Sequence, residues 1–358
     1  MFTGRDPAGG DVVLTLHPGT QAAAMARLEG LVGGVVALDP STGAVLALAS
    51  TPTYDPAQLS SHDPQAIRDY AAQLDAADPD PRRNQAITEI YPPGSVFKVI
   101  VSAAALQEGY TPETVIPAPD VFTLPNSSRA LNNFNNSSCS PTGQQPLIDS
   151  LTISCNTAFA MLGIELGEDK IRETAAAFGI DDEPIEIPLR VSGSTVGEIE
   201  DDAALGQTSI GQRDVRLTTL HAAMIASAVA NDGSLMTPYL VDQVRAPDLS
   251  VIDQTDPDEL SRAVTPEIAN QLTEMMLSVV QNGSGRAARI DGVEVAGKTG
   301  TAQTPDQPDH NWFIGFAPAD DPQIAVAVFV RNGGGTGGDV SAPIAREVME
   351  AYLGGRSD

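Results

Sequence analysis

Strand-like runs lie at the two ends of this chain, with helical patterns between them. That order is the strongest constraint on its fold. Near the start, GGVVALD (Gly33–Asp39) and AVLALAS (Ala44–Ser50) flank the turn PSTG and read as a hairpin. Near the end, three runs follow closely: GVEVAGKTGTAQ, NWFIGFAP and QIAVAVFVRN. Between the ends, the segments from Ser95, TAFAMLGIELG, DVRLTTLHAAMIASAVANDG and TPEIANQLTEMMLSVVQNGSG carry helical patterns, with Gly167, Gly233 and Gly283 as stops. A chain so ordered is expected to be one α+β domain, in which the N-terminal hairpin and the C-terminal strands share an antiparallel sheet flanked by helices. DVVLTL and TQAAAMARLEGL, before the hairpin, read as a strand and a short helix. Residues 1–33 are set apart as a small preceding piece, and residues 34–358 as the main domain. Thr51–Asn84, rich in Asp, Pro and Ala, reads as surface helix and loop.

Charge narrows the partners. Acids outnumber bases 47 to 20, for a formal charge of −27, a field that repels nucleic acid and anionic membrane surfaces. No apolar run reaches the roughly 18 residues of a membrane span. The start, MFTGRDPAGGD, lacks the pattern of a signal peptide. The four histidines are scattered, and two cysteines, Cys139 and Cys155, do not make a zinc site; no metal and no cofactor is expected. From spacing alone the cysteines are either unpaired or, in an oxidising compartment, one bridge.

Lysine is the informative residue type. Of 20 basic residues only Lys98, Lys170 and Lys298 are lysine. Arginine supplies permanent charge and stays protonated, whereas a buried lysine can lose its proton. Lys170, in the polar GEDKIRE, reads as an ordinary surface residue. Lys98 stands in YPPGSVFKVI, in a segment apolar on every side and therefore buried. Pro92, Pro93 and Gly94 start that helix at Ser95. Ser95 and Lys98, three apart, share a face at the positive end of the helix. Burial and the dipole push the amine towards neutrality, and a neutral amine beside a hydroxyl is a general base beside a nucleophile. The competing reading is a lysine that snorkels out of the helix end, which suits an amphipathic helix better than this one. S-x-x-K alone is weak, expected by chance in roughly one such chain in five.

Two further motifs raise its weight. GKTGTAQ sets Lys298 in a strand pattern, where Gly300 is unfavourable unless a ligand or another backbone approaches closely. A peptide lying along the strand would use that space, and Thr299 and Thr301 would offer hydroxyls to a carboxylate. An edge lysine that blunts the sheet would explain Lys298 but not Gly300. SCN, Ser154–Asn156, lies at a predicted helix junction, where the simpler reading is that Asn156 caps the second helix.

S-x-x-K, S-x-N and K-T-G in this order are the signature of penicillin-binding proteins and serine β-lactamases. The chain also carries GGVVALDPSTGAVLALASTPTYDP, SCNTAFAMLGIELG, LTTLHAAMIASAVANDG and HNWFIGFAP. With these it resembles the transpeptidase domain of class B penicillin-binding proteins, most of all the actinobacterial penicillin-binding protein A group, from about Asp11 onward. The resemblance implies that Ser95 is acylated, Lys98 activates it, and Ser154 relays the proton to the leaving amine. It implies that Lys298 polarises Ser154 and attracts the substrate carboxylate. Asn156 would bind the peptide amide, Thr299 and Thr301 the terminal carboxylate, and Gly300 would belong to the same binding strand. The N–H groups of Ser95 and Thr301 would form the oxyanion hole.

The implied substrate is the D-Ala-D-Ala end of a peptidoglycan stem peptide, with β-lactams as mimics and cell-division or elongation proteins as partners. Class B members carry a membrane anchor and a pedestal, so the chain is expected to be the soluble part of an anchored, extracytoplasmic protein. In that compartment a Cys139–Cys155 bridge would tie the polar loop to the site.

Three other readings compete. A serine β-lactamase of class A would show E-x-x-L-N after SCN; Glu165 and Glu168 follow it, but neither begins that pattern. A β-lactam sensor or divisome scaffold would not need every motif residue. A dinucleotide site is suggested by G-x-G-x-x-G at Gly333, Gly335 and Gly338, but no second strand follows to complete the unit. The plainer reading of that run is a flexible strand-to-helix connection.

Overall fold

The computed structural model describes residues 9–126, 130–182 and 185–355. Its central sheet has five strands, numbered in chain order: β1 (Gly33–Leu38), β2 (Val45–Thr51), β3 (Ala296–Ala302), β4 (His310–Ala317) and β5 (Ile324–Val330). Their spatial order is β3-β4-β5-β1-β2, all neighbours antiparallel. The N-terminal hairpin and the C-terminal strands meet where β5 pairs with β1, Val330 opposite Gly33 and Ala325 opposite Leu38. The architecture is the α+β arrangement expected from the order of the runs.

Both faces of the sheet are covered, so its strands are apolar on both sides rather than alternating. Val36, Leu38, Trp312, Ile314, Ala327 and Phe329 face one core with the buried helices. These include α2 (Lys98–Gln107) and α5 (Thr219–Ala230). Val35, Ala37, Phe313, Val326 and Val328 face a second core, against α1 (Pro18–Leu28) and α7 (Gly337–Gly355). Helix α1 packs onto this second core: Ala24 and Leu28 are buried with Val348 and Met349, and Gln21 hydrogen-bonds both backbone groups of Leu48.

Residues 51–84 carry a surface helix, Pro64–Asp75, in which Leu74 is the buried residue. Smaller elements went unread in the sequence. The strand Asp11–Leu14 was expected, but not its partner Val241–Arg245, which pairs in turn with Val251–Gln254. Helices α3 (Leu147–Thr152), α4 (Asn156–Leu166) and α6 (Pro266–Gln281) join the first core, with α6 packed on β3 and α3 on α6. Among the described residues no helix is long and apolar enough to cross a membrane.

Candidate active site

The serine turn is built by its neighbours. The chain enters a single 3₁₀ turn, Gly94–Phe97, and only then the α-helix α2, so the expected helix start at Ser95 is tighter than an α-turn. In a 3₁₀ turn residues three apart eclipse, which stacks Ser95 and Lys98 on one side. Trp312 Nε1 donates to Pro92 O (2.9 Å), and the Gly94 N–H donates to Gly211 O (2.9 Å). Tyr91 and Leu217 exchange backbone hydrogen bonds at 3.0 Å. The turn is thereby tied to the sheet on one side and to the helical layer on the other. Ser95 remains partly exposed at its tip.

Lys98 and Lys298 are both fully buried. Lys98 Nζ donates to Ser154 O (2.8 Å) and Asn156 Oδ1 (2.8 Å) and lies 3.2 Å from Ser154 Oγ. Among the described residues Nζ makes no hydrogen bond to Ser95, so its resting hydrogen bonds all lie in the second motif. Lys298 Nζ donates to Ser154 Oγ (3.0 Å) and to Thr299 O (2.9 Å). The Ser154 hydroxyl therefore sits between two amines. Burial drives the Lys98 amine well below the ordinary lysine range, and the charge of Lys298 pushes it the same way. Burial lowers Lys298 to about 7. Two ammonium groups around one hydroxyl are unfavourable, and a neutral Lys98 relieves the conflict. Ser154 itself is held at φ +63°, a left-handed conformation that costs a non-glycine residue of order 1–3 kcal/mol.

Strand β3 is the edge of the sheet. Thr299 Oγ1 and Ser284 Oγ lie 2.6 Å apart, and Thr301 Oγ1 accepts from the Gly337 N–H (3.1 Å). Because that backbone group can only donate, the hydroxyl proton of Thr301 is free for a ligand.

Gly300 separates two expectations, a close ligand and a close backbone. A Cβ there would lie 2.5 Å from Pro93 O and 2.9 Å from Trp312 Cβ. The space belongs to the serine turn, not to a bound peptide. Glycine at this position lets β3 approach Ser95. Gly300→Ala is expected to cost about 1–3 kcal/mol in thermal unfolding and to slow acylation roughly tenfold or more by moving the turn. An alanine variant acylating at the parental rate would contradict this.

The glycine-rich run is likewise not a loose connection. A Cβ at Gly337 would lie 2.2 Å from Gly300 O and 2.3 Å from Trp312 O, so the run seats the start of α7 directly behind β3.

These elements enclose a cleft of about 650 Å³, lined by Ser95, Ser154, Asn156, Thr299 and Thr301. Lys98, Lys298 and Gly300 lie behind that wall. The eight residues singled out in the sequence are thus brought together by three separate elements. Among the described residues no cluster of His, Cys, Asp and Glu could hold a metal.

The opposite wall is the asparagine-rich loop, with Asn132, Asn133 and Phe134. Its sequence, LNNFNN, was legible only as loop; no spacing rule marks it as part of a site. Asn156 is not the cap of its helix. The N-cap position of α4 is Cys155, which caps nothing with its side chain and is joined to Cys139 in a disulfide, Cα–Cα 5.9 Å. Asn156 instead turns Oδ1 to Lys98 and donates from Nδ2 to Asn132 O (3.4 Å).

Comparison with known proteins follows the same lines. The family model for the penicillin binding protein transpeptidase domain matches residues 33–350. The chain is 46 % identical over 366 residues to the peptidoglycan D,D-transpeptidase PbpA of Mycolicibacterium smegmatis, covering 99 % of this chain and 74 % of that protein. It resembles the ceftriaxone acyl-enzyme complex of penicillin-binding protein A from M. tuberculosis with a TM-score of 0.96 and 45 % identity, over 98 % of this chain and 82 % of that one. The penicillin G acyl-enzyme complex of the same M. tuberculosis protein gives a TM-score of 0.94 at 45 % identity, with the same coverage.

Proposed function

The chain belongs to the penicillin-binding protein transpeptidase family, and from that premise we propose how its cleft performs the reaction. It is a serine D,D-transpeptidase of peptidoglycan, acylated by β-lactams. The observation that carries the mechanism is the Ser154 hydroxyl held between Lys98 Nζ (3.2 Å) and Lys298 Nζ (3.0 Å).

A neutral Lys98 has two N–H groups and one lone pair. Ser154 O and Asn156 Oδ1 are pure acceptors and take the two N–H groups. The lone pair is left for a hydroxyl. At rest that hydroxyl is Ser154, itself accepting from the Lys298 ammonium. When a donor peptide enters, Ser95, one 3₁₀ turn away, gives its proton to the lone pair, and its Oγ attacks the carbonyl carbon of the penultimate D-Ala. The oxyanion forms against the N–H groups of Ser95 and Thr301. Gly94 supports that pairing, because a Cβ there would lie 2.6 Å from Thr301 O. The C–N bond then breaks. The departing amine takes a proton from Ser154, which recovers one from protonated Lys98. Terminal D-Ala leaves and an acyl ester remains on Ser95.

An amine of a second stem reverses these transfers, forming the new amide and releasing Ser95. A β-lactam follows the first half, but its leaving nitrogen stays tethered to the acyl group. Thr299, Thr301 and the Lys298 charge suit the terminal carboxylate, Asn156 Nδ2 suits the peptide carbonyl, and the edge strand β3 suits an extended stem.

The enzyme works in cell-wall synthesis outside the cytoplasm. Its disulfide fits an oxidising compartment. We place residues 34–358 as the catalytic domain at the extracytoplasmic membrane face, with cell-division or elongation proteins as its partners.

The test is partition of the acyl-enzyme. A D-Ala-D-Ala donor should yield cross-linked product in proportion to added amine acceptor, while a chromogenic cephalosporin should give one fast equivalent and then slow release. Rapid catalytic turnover of the cephalosporin, with no amine-dependent product, would mean a β-lactamase instead.

A further inference from the structure

The reaction leaves one buried polar group in the cleft wall without a role. Asn133 is 5 % exposed and lies on the loop opposite β3. Helix α4 begins with N–H groups that its own cap position does not satisfy. Asn133 Oδ1 accepts from two of them, Asn156 N (2.9 Å) and Thr157 N (3.1 Å). The nearby Thr157 hydroxyl gives its one proton to Pro119 O at 2.6 Å, so it does not compete for this acceptor. The preceding residue takes the side chain of Asn156 on its carbonyl, Asn132 O (3.4 Å). Six residues on, Cys139 is bonded to Cys155. The loop therefore grips Cys155–Thr157 by covalent bond, backbone and side chain, immediately after the left-handed Ser154.

We propose that Asn133 is a positioning residue for the transpeptidation reaction, capping α4 from outside the helix so that Asn156 faces Lys98 and the Ser154 hydroxyl stays between the two lysines. This rests on the functional reading of Ser154 and Asn156 given above. The cap needs an acceptor at Oδ1, while the Nδ2 end donates two long hydrogen bonds, to Pro119 O (3.4 Å) and Asp120 O (3.5 Å). Aspartate keeps the acceptor and gives up those long contacts, and alanine keeps neither. Aspartate also adds a charge within one residue of Lys98, whose charged neighbour is otherwise Lys298.

The experiment is the rate of acylation by a penicillin against pH for the parental chain, Asn133→Ala and Asn133→Asp, with thermal unfolding and thiol titration as controls. The alanine variant should be slowed about 10- to 100-fold at every pH, since a lost cap displaces catalytic groups by fractions of an ångström. The aspartate variant should recover to within about threefold of the parent at its plateau, because its carboxylate caps as well. Its acid limb should move up by roughly one pH unit, because the new carboxylate favours protonated Lys98. A merely structural asparagine would leave the folded fraction of the alanine variant acylating at the parental rate, whereas the limb reads how near the new carboxylate stands to Lys98.

An alanine variant acylating at the parental rate, or an aspartate variant as slow as alanine with an unmoved limb, would overturn the proposal. If alanine fails to fold, the aspartate profile decides alone: a kept plateau with a raised limb supports the role, and anything else refutes it. A parental chain that is not acylated at all would instead bring down the functional reading, and this inference with it.

Discussion

Ser95→Ala should fold like the parent and lose turnover of a D-Ala-D-Ala donor by about a millionfold, the scale seen when a serine nucleophile is removed from a preorganised site. The substitution removes one partly exposed oxygen and leaves no buried group unpaired, because among the described residues Ser95 Oγ has no hydrogen-bond partner. The neighbouring hydroxyls are already engaged: Ser154 lies between two lysines, Thr299 against Ser284, and Thr301 accepts from Gly337. The measurement is donor turnover beside thermal unfolding. A variant with an unchanged melting temperature and activity within about a hundredfold of the parent would remove Ser95 from its role.

The second large effect is expected at Lys98. Methionine is close in volume and cannot accept a proton. Lys98→Met should therefore slow acylation by about 10²–10⁴-fold, the usual worth of a general base. It leaves Ser154 O and Asn156 Oδ1 without their donor, at a cost of roughly 1–3 kcal/mol, but it also removes a buried amine, which offsets part of that loss. The fold should survive.

The pH profile separates a base from a packing residue. The active form is neutral Lys98 with charged Lys298. In the parent, kcat/KM should rise as pH climbs through the depressed pKa of Lys98, so the acid limb lies well below the ordinary lysine range. It should fall again as Lys298, held at about 7, loses the proton that polarises Ser154 and attracts the substrate carboxylate. A bound carboxylate raises the Lys298 pKa, so the alkaline limb of kcat should lie higher than that of kcat/KM. The methionine variant should lose the acid limb and keep the alkaline one. An acid limb that persists in Lys98→Met would assign the base to another group.

What the sequence made legible follows from which forces are local. Strand runs at both chain ends, a helix apolar on all sides and the residue economy of three lysines are patterns of composition and period. They led to one antiparallel sheet shared by the two chain ends and to the burial of Lys98, and they made Ser95 the candidate nucleophile. Where the account had to be revised, long-range packing decides. Gly300 reads from sequence as room for a ligand or for another backbone, and only the folded chain shows that it is the backbone of Pro93. The run from Gly333 to Gly338 reads as slack, and only the fold places Gly300 O against Gly337. The plainer of the two readings of Asn156, a helix cap, falls because short-range rules name the nearest polar residue, whereas the acceptor comes from Asn133, 23 residues upstream. The partner strand Val241–Arg245 carries Asp, Gln and Arg among its valines, so its pairing with Asp11–Leu14 left no periodic trace.

The central claim is that Ser95 is the acylated residue of this cleft. Intact mass spectrometry of the chain incubated with a penicillin, followed by peptide mapping, tests it most directly. The account predicts one covalent adduct per chain, on the peptide that carries Ser95, and none in Ser95→Ala. No adduct, or an adduct mapped to Ser154 or any other residue, would contradict it.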